Sequence, residues 1–160
     1  MTQSDTQVVQ PEVALIVGGG PGISASCARL FADNGMRVAV AARNPDKPVL
    51  QALEKTHGVR RYACDAAEPA SVQRLFEEVT RDLGTPTLVL HNIDGRSAGI
   101  LRKPITEADP ALALDVLRNA AFSAYLVGQH AARLMLGQQA NANGTKGTII
   151  FTNASAALKG

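Results

Sequence analysis

Val13-Ala14-Leu15-Ile16-Val17-Gly18-Gly19-Gly20-Pro21-Gly22-Ile23-Ser24 is the stretch that decides the fold. Five apolar residues in a row stop abruptly at glycines, which reads as a strand buried on both faces. Beyond the glycines, Ile23, Cys27, Leu30 and Phe31 recur at helical spacing, and Gly35 stands where a helix C-terminus favours glycine. Strand, glycine loop and helix in that order open a βαβ unit. In physical terms the loop is a phosphate site: amides at a helix start lack partners, and the dipole there favours an anion. A side chain at Gly18 or Gly22 would block the close approach of a pyrophosphate. A tight turn that holds no ligand produces the same local pattern.

The alternation continues outward. Val38–Ala42 reads as a second strand, and Asp46 can cap a helix through Thr56 that Gly58 ends. Val59–Ala63 is a third strand. Glu68-Pro69 opens a helix with Val72, Leu75, Phe76, Val79 and Leu83 on one side, ended by Gly84. Thr87–Leu90 is a fourth strand and Asn92–Pro104 a loop. Thr106 and Asp109 resemble a capping box with Asp for Glu, and the longest helix follows to about Leu136. Gly147–Thr152 is a fifth strand. Alternating strands and helices predict an α/β fold, a parallel sheet with helices on both faces. Residues 1–11 are expected to be a flexible tail and 12–160 one domain.

Composition narrows the function classes. At 46 % apolar and 19 % charged residues, the 160-residue chain is too apolar to be disordered. Lys+Arg 16 against Asp+Glu 14 leaves +2 with no run of like charge, so no nucleic-acid partner is expected. Cys27 and Cys64 form no CxxC, which argues against a disulfide framework or a zinc knuckle, and no metal site is expected. No apolar run approaches a membrane span, and the start lacks the basic region of a signal peptide. No membrane partner is expected, and the expected compartment is the cytoplasm. The lone histidines His57, His91 and His130 read as surface or hydrogen-bonded residues, and both cysteines as core.

Four glycine-loop types compete for the nucleotide. A Walker loop needs Gly-Lys-Ser/Thr, and no lysine adjoins the glycines. GxGxxG fits Gly18 and Gly20 but meets Ile23 where the last glycine belongs. A methyltransferase-type loop tolerates Gly18, Gly20 and Gly22. Both of these usually want an acidic residue at the end of the second strand, where this chain has Ala42 and Arg43. An arginine there suits a 2′-phosphate, which its guanidinium can grip with two hydrogen bonds.

The fourth pattern is Gly-x-x-x-Gly-x-Gly, met by Gly18 and Gly22 with Ser24 in the last place. Here the chain resembles the short-chain dehydrogenase/reductase family, from about Glu12 onward. Residues 16–24 resemble its TGxxxGIG loop, and Ala41-Ala42-Arg43-Asn44 the NADP-preferring end of its second strand. Cys64-Asp65 resembles the segment whose Asp contacts adenine, and His91-Asn92-Ile93-Asp94-Gly95 its NNAG segment. Residues 147–152 followed by Asn153-Ala154-Ser155 resemble the fifth strand leading to the catalytic serine. The resemblance implies a Rossmann-like doubly wound sheet of about five strands in the order 3-2-1-4-5. It implies NADP as cofactor rather than NAD, held by Gly18, Gly20, Gly22, Ile23, Arg43, Asp65 and Asn92. It also implies hydride transfer on a small carbonyl or alcohol, with Ser155 orienting the substrate oxygen.

The same resemblance defines what is missing. The family's chemistry uses Asn, Ser, Tyr and Lys, the last two as YxxxK beyond the serine. Only five residues follow Ser155, and four residues after Tyr62 and Tyr125 stand Ala66 and Gln129. Counting back along the long helix puts the Asn position on Ala120, with Asn119 turned about 100° away. The chain is therefore expected to be cut short of the acid/base pair and to hold the dinucleotide without efficient turnover. The alternative is a non-catalytic NADP-binding regulatory or oligomerisation module. The fifth strand is expected to form an apolar, poorly guarded sheet edge, and the helix over 106–136, apolar nearly all round, to form a homo-oligomer contact.

Overall fold

The structure, a computed structural model, describes residues 11–154. Its strands are β1 (Val13–Val17), β2 (Arg37–Ala42), β3 (Arg60–Ala63), β4 (Leu88–His91) and β5 (Thr148–Phe151). Its helices are α1 (Ile23–Asp33), α2 (Pro48–His57), α3 (Pro69–Leu83), α4 (Ala98–Leu101), α5 (Pro110–Leu117) and α6 (Ser123–Leu136). The strands form one parallel sheet in the order β3-β2-β1-β4-β5, the doubly wound arrangement expected. Of the expected 1–11 tail only Pro11 is described, and its carbonyl accepts a hydrogen bond from Arg37.

β1 is the centre of the sheet, and all five of its residues are buried. Val13, Leu15 and Val17 pack with α3 and α6, whereas Ala14 and Ile16 pack with α1 and α2. Each fully buried Leu, Ile or Val contributes roughly 1.5–3 kcal/mol, so an unbroken apolar run is most favourable where both faces are covered. Helix α1 ends as expected, with Gly35 in the left-handed region at φ 82°.

Two expectations about helix starts are corrected. Lys47, not Asp46, precedes α2, and no side chain caps that helix. The Asp46 carboxylate is instead paired with Arg61 at 2.8 Å. Thr106 and Asp109 form no capping box: Thr106 lies in a separate 3₁₀ turn (Ile105–Glu107), and Asp109 itself caps α5 by accepting from the Ala111 amide at 2.9 Å.

The long helix expected over 106–136 is interrupted. Between α5 and α6 runs a π-helical turn, Arg118–Phe122. Ser123, the residue after this turn, donates through its hydroxyl to the Asn119 carbonyl within it at 2.6 Å. A hydroxyl that takes up a carbonyl of the preceding turn competes with the regular backbone ladder and distorts it. The helix also leaves an apolar side uncovered. Leu126, Val127, Ala131 and Met135 are buried, but Leu114, Leu117, Phe122 and Tyr125 are exposed. Among the described residues β5 lies at the edge of the sheet, with Ile150 and Phe151 exposed. Among the described residues, no helix is long and apolar enough to cross a membrane.

Candidate functional site

A cleft of about 1020 Å³ opens at the carboxyl ends of β1, β2 and β4. β1 is flanked by β2 on one side and β4 on the other, and the chain reverses its winding there. Open α/β sheets bind ligands at this switch point. The walls are the glycine loop, Arg43, Asn44 and Lys47 after β2, Asp65–Ala67 after β3, residues 92–97 after β4, and one side of α5 with Asn119.

The glycines divide by what surrounds them. Gly18 has φ 106°, and a Cβ there would meet the Asn92 carbonyl oxygen at 2.1 Å. Its constraint is the protein's own β4 loop, rather than the approach of a ligand inferred from its spacing. A Cβ on Gly19 would meet Val40 Cγ1 at 2.8 Å. Gly20 and Gly22 have nothing within 4 Å of that position and border the cleft. Gly22 precedes α1 with no side-chain cap and no acidic residue in the first turn, so the helix-start amides are left to the cleft. Ile23 is the first residue of α1, exposed at the cleft.

A hydrogen-bond relay holds the floor together. Thr152 donates to Asn92 Oδ1 at 2.8 Å, and Asn92 Nδ2 donates to Ser24 Oγ at 2.7 Å. Ser24 in turn donates to the Gly18 carbonyl at 2.8 Å. These residues tie the ends of β5, β4 and β1 to the start of α1. Asn92 therefore lines the cleft with its amide already engaged on both sides.

The cationic wall lies after β2. Arg43, Asn44 and Lys47 line the cleft, and Arg43 is exposed. Lys47 Nζ donates to the Gly19 carbonyl at 2.8 Å, so a lysine distant in sequence reaches the glycine loop after all. Sequence reading missed this residue because it searched for a lysine next to the glycines. Asp46, the only carboxylate between Arg43 and Lys47, does not line the cleft. Arg61 holds it, together with Glu54 at 2.8 Å and the Pro45 carbonyl at 2.9 Å. Both carboxylates push the Arg61 pKa further up, the Glu54 hydrogen bond most.

After β3, Asp65 lines the cleft half-buried, and its Oδ1 accepts from the Ala67 amide at 3.0 Å. Asp94 is engaged by Arg96 at 2.6 Å, which holds its carboxyl down at about 2. Buried His91 lies 2.8 Å from Ser123 Oγ through Nε2. Which of the two donates follows the imidazole tautomer. Burial pushes the His91 pKa down. His57 bonds Thr56 as expected, whereas half-buried His130 stacks on Phe76. Cys64 is buried, but Cys27 is only half-buried at the rim of its cluster.

The π turn alters which side chains of this segment face the cleft. One extra residue in the turn rotates everything before it by about 100° relative to a regular helix. Asn119 consequently lines the cleft, while Ala120 packs against Gly95. Ser155 lies outside the described residues.

A family model described as enoyl-(acyl carrier protein) reductase matches residues 18–160. The chain belongs to the short-chain dehydrogenase/reductase family. Members of this family are oxidoreductases that bind NAD(P) dinucleotides. The chain is 30 % identical over 153 residues to tropinone reductase-like 1 of Erythroxylum coca, covering 91 % of this chain and 52 % of that protein. It is 28 % identical over 149 residues to the bovine (Bos taurus) 3-oxoacyl-[acyl-carrier-protein] reductase, covering 93 % and 59 %. Among solved structures, a short-chain type dehydrogenase/reductase from Mycobacterium ulcerans matches with TM-score 0.79 at 27 % identity, covering 92 % and 53 %. Actinorhodin polyketide ketoreductase, solved with NADPH, matches in fold with TM-score 0.81 at 24 % identity, covering 94 % and 56 %. The chain spans about half the length of the curated relatives it matches.

Proposed function

We propose that these residues form the NADP(H)-holding part of a carbonyl or alcohol oxidoreductase. The observation that carries this reading is the composition of the wall after β2: two cations and an amide face the cleft, and the one carboxylate is turned from it. NAD-specific sites of this kind use a carboxylate on the ribose hydroxyls, whereas an arginine accommodates a 2′-phosphate. Arg43 would grip that phosphate, and Lys47 adds positive charge beside it. The amides at Gly20, Gly22 and Ile23 would hold the pyrophosphate, with Gly18 keeping the loop against β4. Asp65 would meet the adenine, and Asn92 would keep the floor rigid beneath the nicotinamide end.

When bound, the nicotinamide supplies or accepts the hydride. Ser155 would orient the substrate oxygen, and Asn119 borders the same cleft. Neither Tyr62 nor Tyr125 opens a YxxxK, and holding the dinucleotide is the activity proposed for these residues. The carbonyl or alcohol substrate class draws support from the names of the reductase and ketoreductase relatives. A cytoplasmic location fits two free cysteines.

A second reading, an oligomerisation module, is favoured by the exposed Leu114, Leu117, Phe122 and Tyr125 and by the apolar β5 edge. A homo-oligomer through the 106–136 segment would cover the first group.

Titration of the purified chain with NADPH and NADH, followed by cofactor fluorescence, tests the proposal. NADPH is expected to bind more tightly, and Arg43→Asp to reverse that order. No saturable binding of either at millimolar concentration would overturn it, and nucleotide-independent self-association would then favour the second reading.

A further inference from the structure

We propose that Arg61, which does not line the cleft, is a specificity-determining positioning residue: it selects NADP(H) by holding the Asp46 carboxylate and the 43–47 loop in place. The inference rests on the NADP(H) reading above. Arg61 lies in β3, and its side chain as a whole is 20 % exposed. It donates through Nη1 to Asp46 Oδ1 at 2.8 Å and to the Pro45 carbonyl at 2.9 Å. Through Nε it donates to Glu54 Oε2 at 3.0 Å. Thus one planar fork joins the β2–α2 loop, helix α2 and strand β3.

Its position matters for what the loop presents. Arg43 and Asn44 stand just before the clamped Pro45-Asp46 pair, and Lys47 just after it. All three face the cleft, and the clamped Pro45-Asp46 pair does not. Asp46 is 73 % exposed at its side chain, so nothing but its hydrogen-bonding holds it. Released, the carboxylate would be free to approach the ribose. There it would repel a 2′-phosphate and accept hydrogen bonds from free ribose hydroxyls, the chemistry of an NAD site. Asn44 Oδ1 accepts from the Asp46 amide at 2.9 Å, so a shift of Asp46 would also disturb Asn44.

The test compares binding of 2′,5′-ADP and 5′-AMP, which differ by the 2′-phosphate alone, to the purified 160-residue chain by calorimetry. Arg61→Lys keeps the charge and loses the fork, so long-range attraction is held constant. The wild-type preference for 2′,5′-ADP is expected to fall about tenfold in Arg61→Lys, the factor carried by one charge-assisted hydrogen bond, and further in Arg61→Met. Adding Asp46→Asn to Arg61→Met is expected to restore most of it. A merely structural role would weaken both ligands equally and leave the ratio alone. An unchanged ratio in a folded Arg61→Lys chain would overturn the inference, as would failure of Asp46→Asn to restore the ratio. If the wild-type chain itself shows no preference, the NADP(H) reading fails first, and this result is read before any variant.

Discussion

Asn92 donates to Ser24 at 2.7 Å, joining the end of β4 to the first turn of α1 across 68 residues of sequence. Ser24 stands where the family's loop resemblance places a glycine. Its hydroxyl uses both of its functions, accepting from Asn92 and donating to Gly18. The serine therefore replaces a bare approach of backbones with a defined bond.

Removing Asn92 should be felt throughout the floor of the cleft. Asn92→Ala takes the donor from the buried Ser24 hydroxyl and the nearer of two acceptors from Thr152, which keeps the His91 carbonyl at 3.3 Å. A stranded buried polar group costs about 1–3 kcal/mol, and urea unfolding should report a loss in that range. A loss below a few tenths of a kcal/mol would show that water replaces the amide without penalty.

The glycines should separate stability from binding. Gly18→Ala forces a Cβ into the Asn92 carbonyl and a side chain into a left-handed backbone. It should lower stability by about 2–4 kcal/mol in thermal melts, from overpacking together with backbone strain. Gly22→Ala meets no protein atom within 4 Å. It should change stability by less than about 1 kcal/mol yet weaken dinucleotide binding severalfold. Unchanged binding in Gly22→Ala would remove that residue from the proposed pyrophosphate site.

Burial of His91 makes acid unfavourable for the fold. Its folded pKa lies below the ordinary value of 6.5, chiefly by desolvation. The unfolded chain therefore binds the proton more readily, and the stabilising difference is complete above 6.5. It is lost as pH falls from 6.5 towards the folded value. Urea midpoints should fall between pH 7 and 5, and the slope should be shallower in His91→Gln. His130 is shifted the same way, so some slope should remain in the variant.

Self-association should depend on the sheet edge. Phe151 is half exposed on β5 and contacts Gly128 of α6 from its other side. Ile150→Lys, on the exposed edge strand, should reduce concentration-dependent light scattering, because an inserted lysine discourages strand addition. Leu117→Lys should act on any contact made through the α5 side. Scattering unchanged in both would remove these surfaces from the assembly.

The order of elements was legible because each rests on local pattern. β1 is an unbroken apolar run because both faces are covered, and α3 shows its buried stripe from Val72 to Leu83 at helical spacing. The glycine loop, Arg43 and Asp65 were placed at the cleft by position in that order alone. Sequence by itself thus determined the family, the parallel sheet and the side of the sheet that carries the site. Tertiary structure alone decided which side chains face the cleft. Asp46 adjoins Lys47 in the chain, yet Arg61, fifteen residues on, draws one away while the other reaches Gly19. Asn119 rather than Ala120 lines the cleft because a buried hydroxyl at Ser123, backed by His91, accompanies a π turn that shifts the register. Periodicity records burial averaged over a helix, but hydrogen bonds between distant residues set the direction of a single side chain, and those form only once the sheet has brought their partners together.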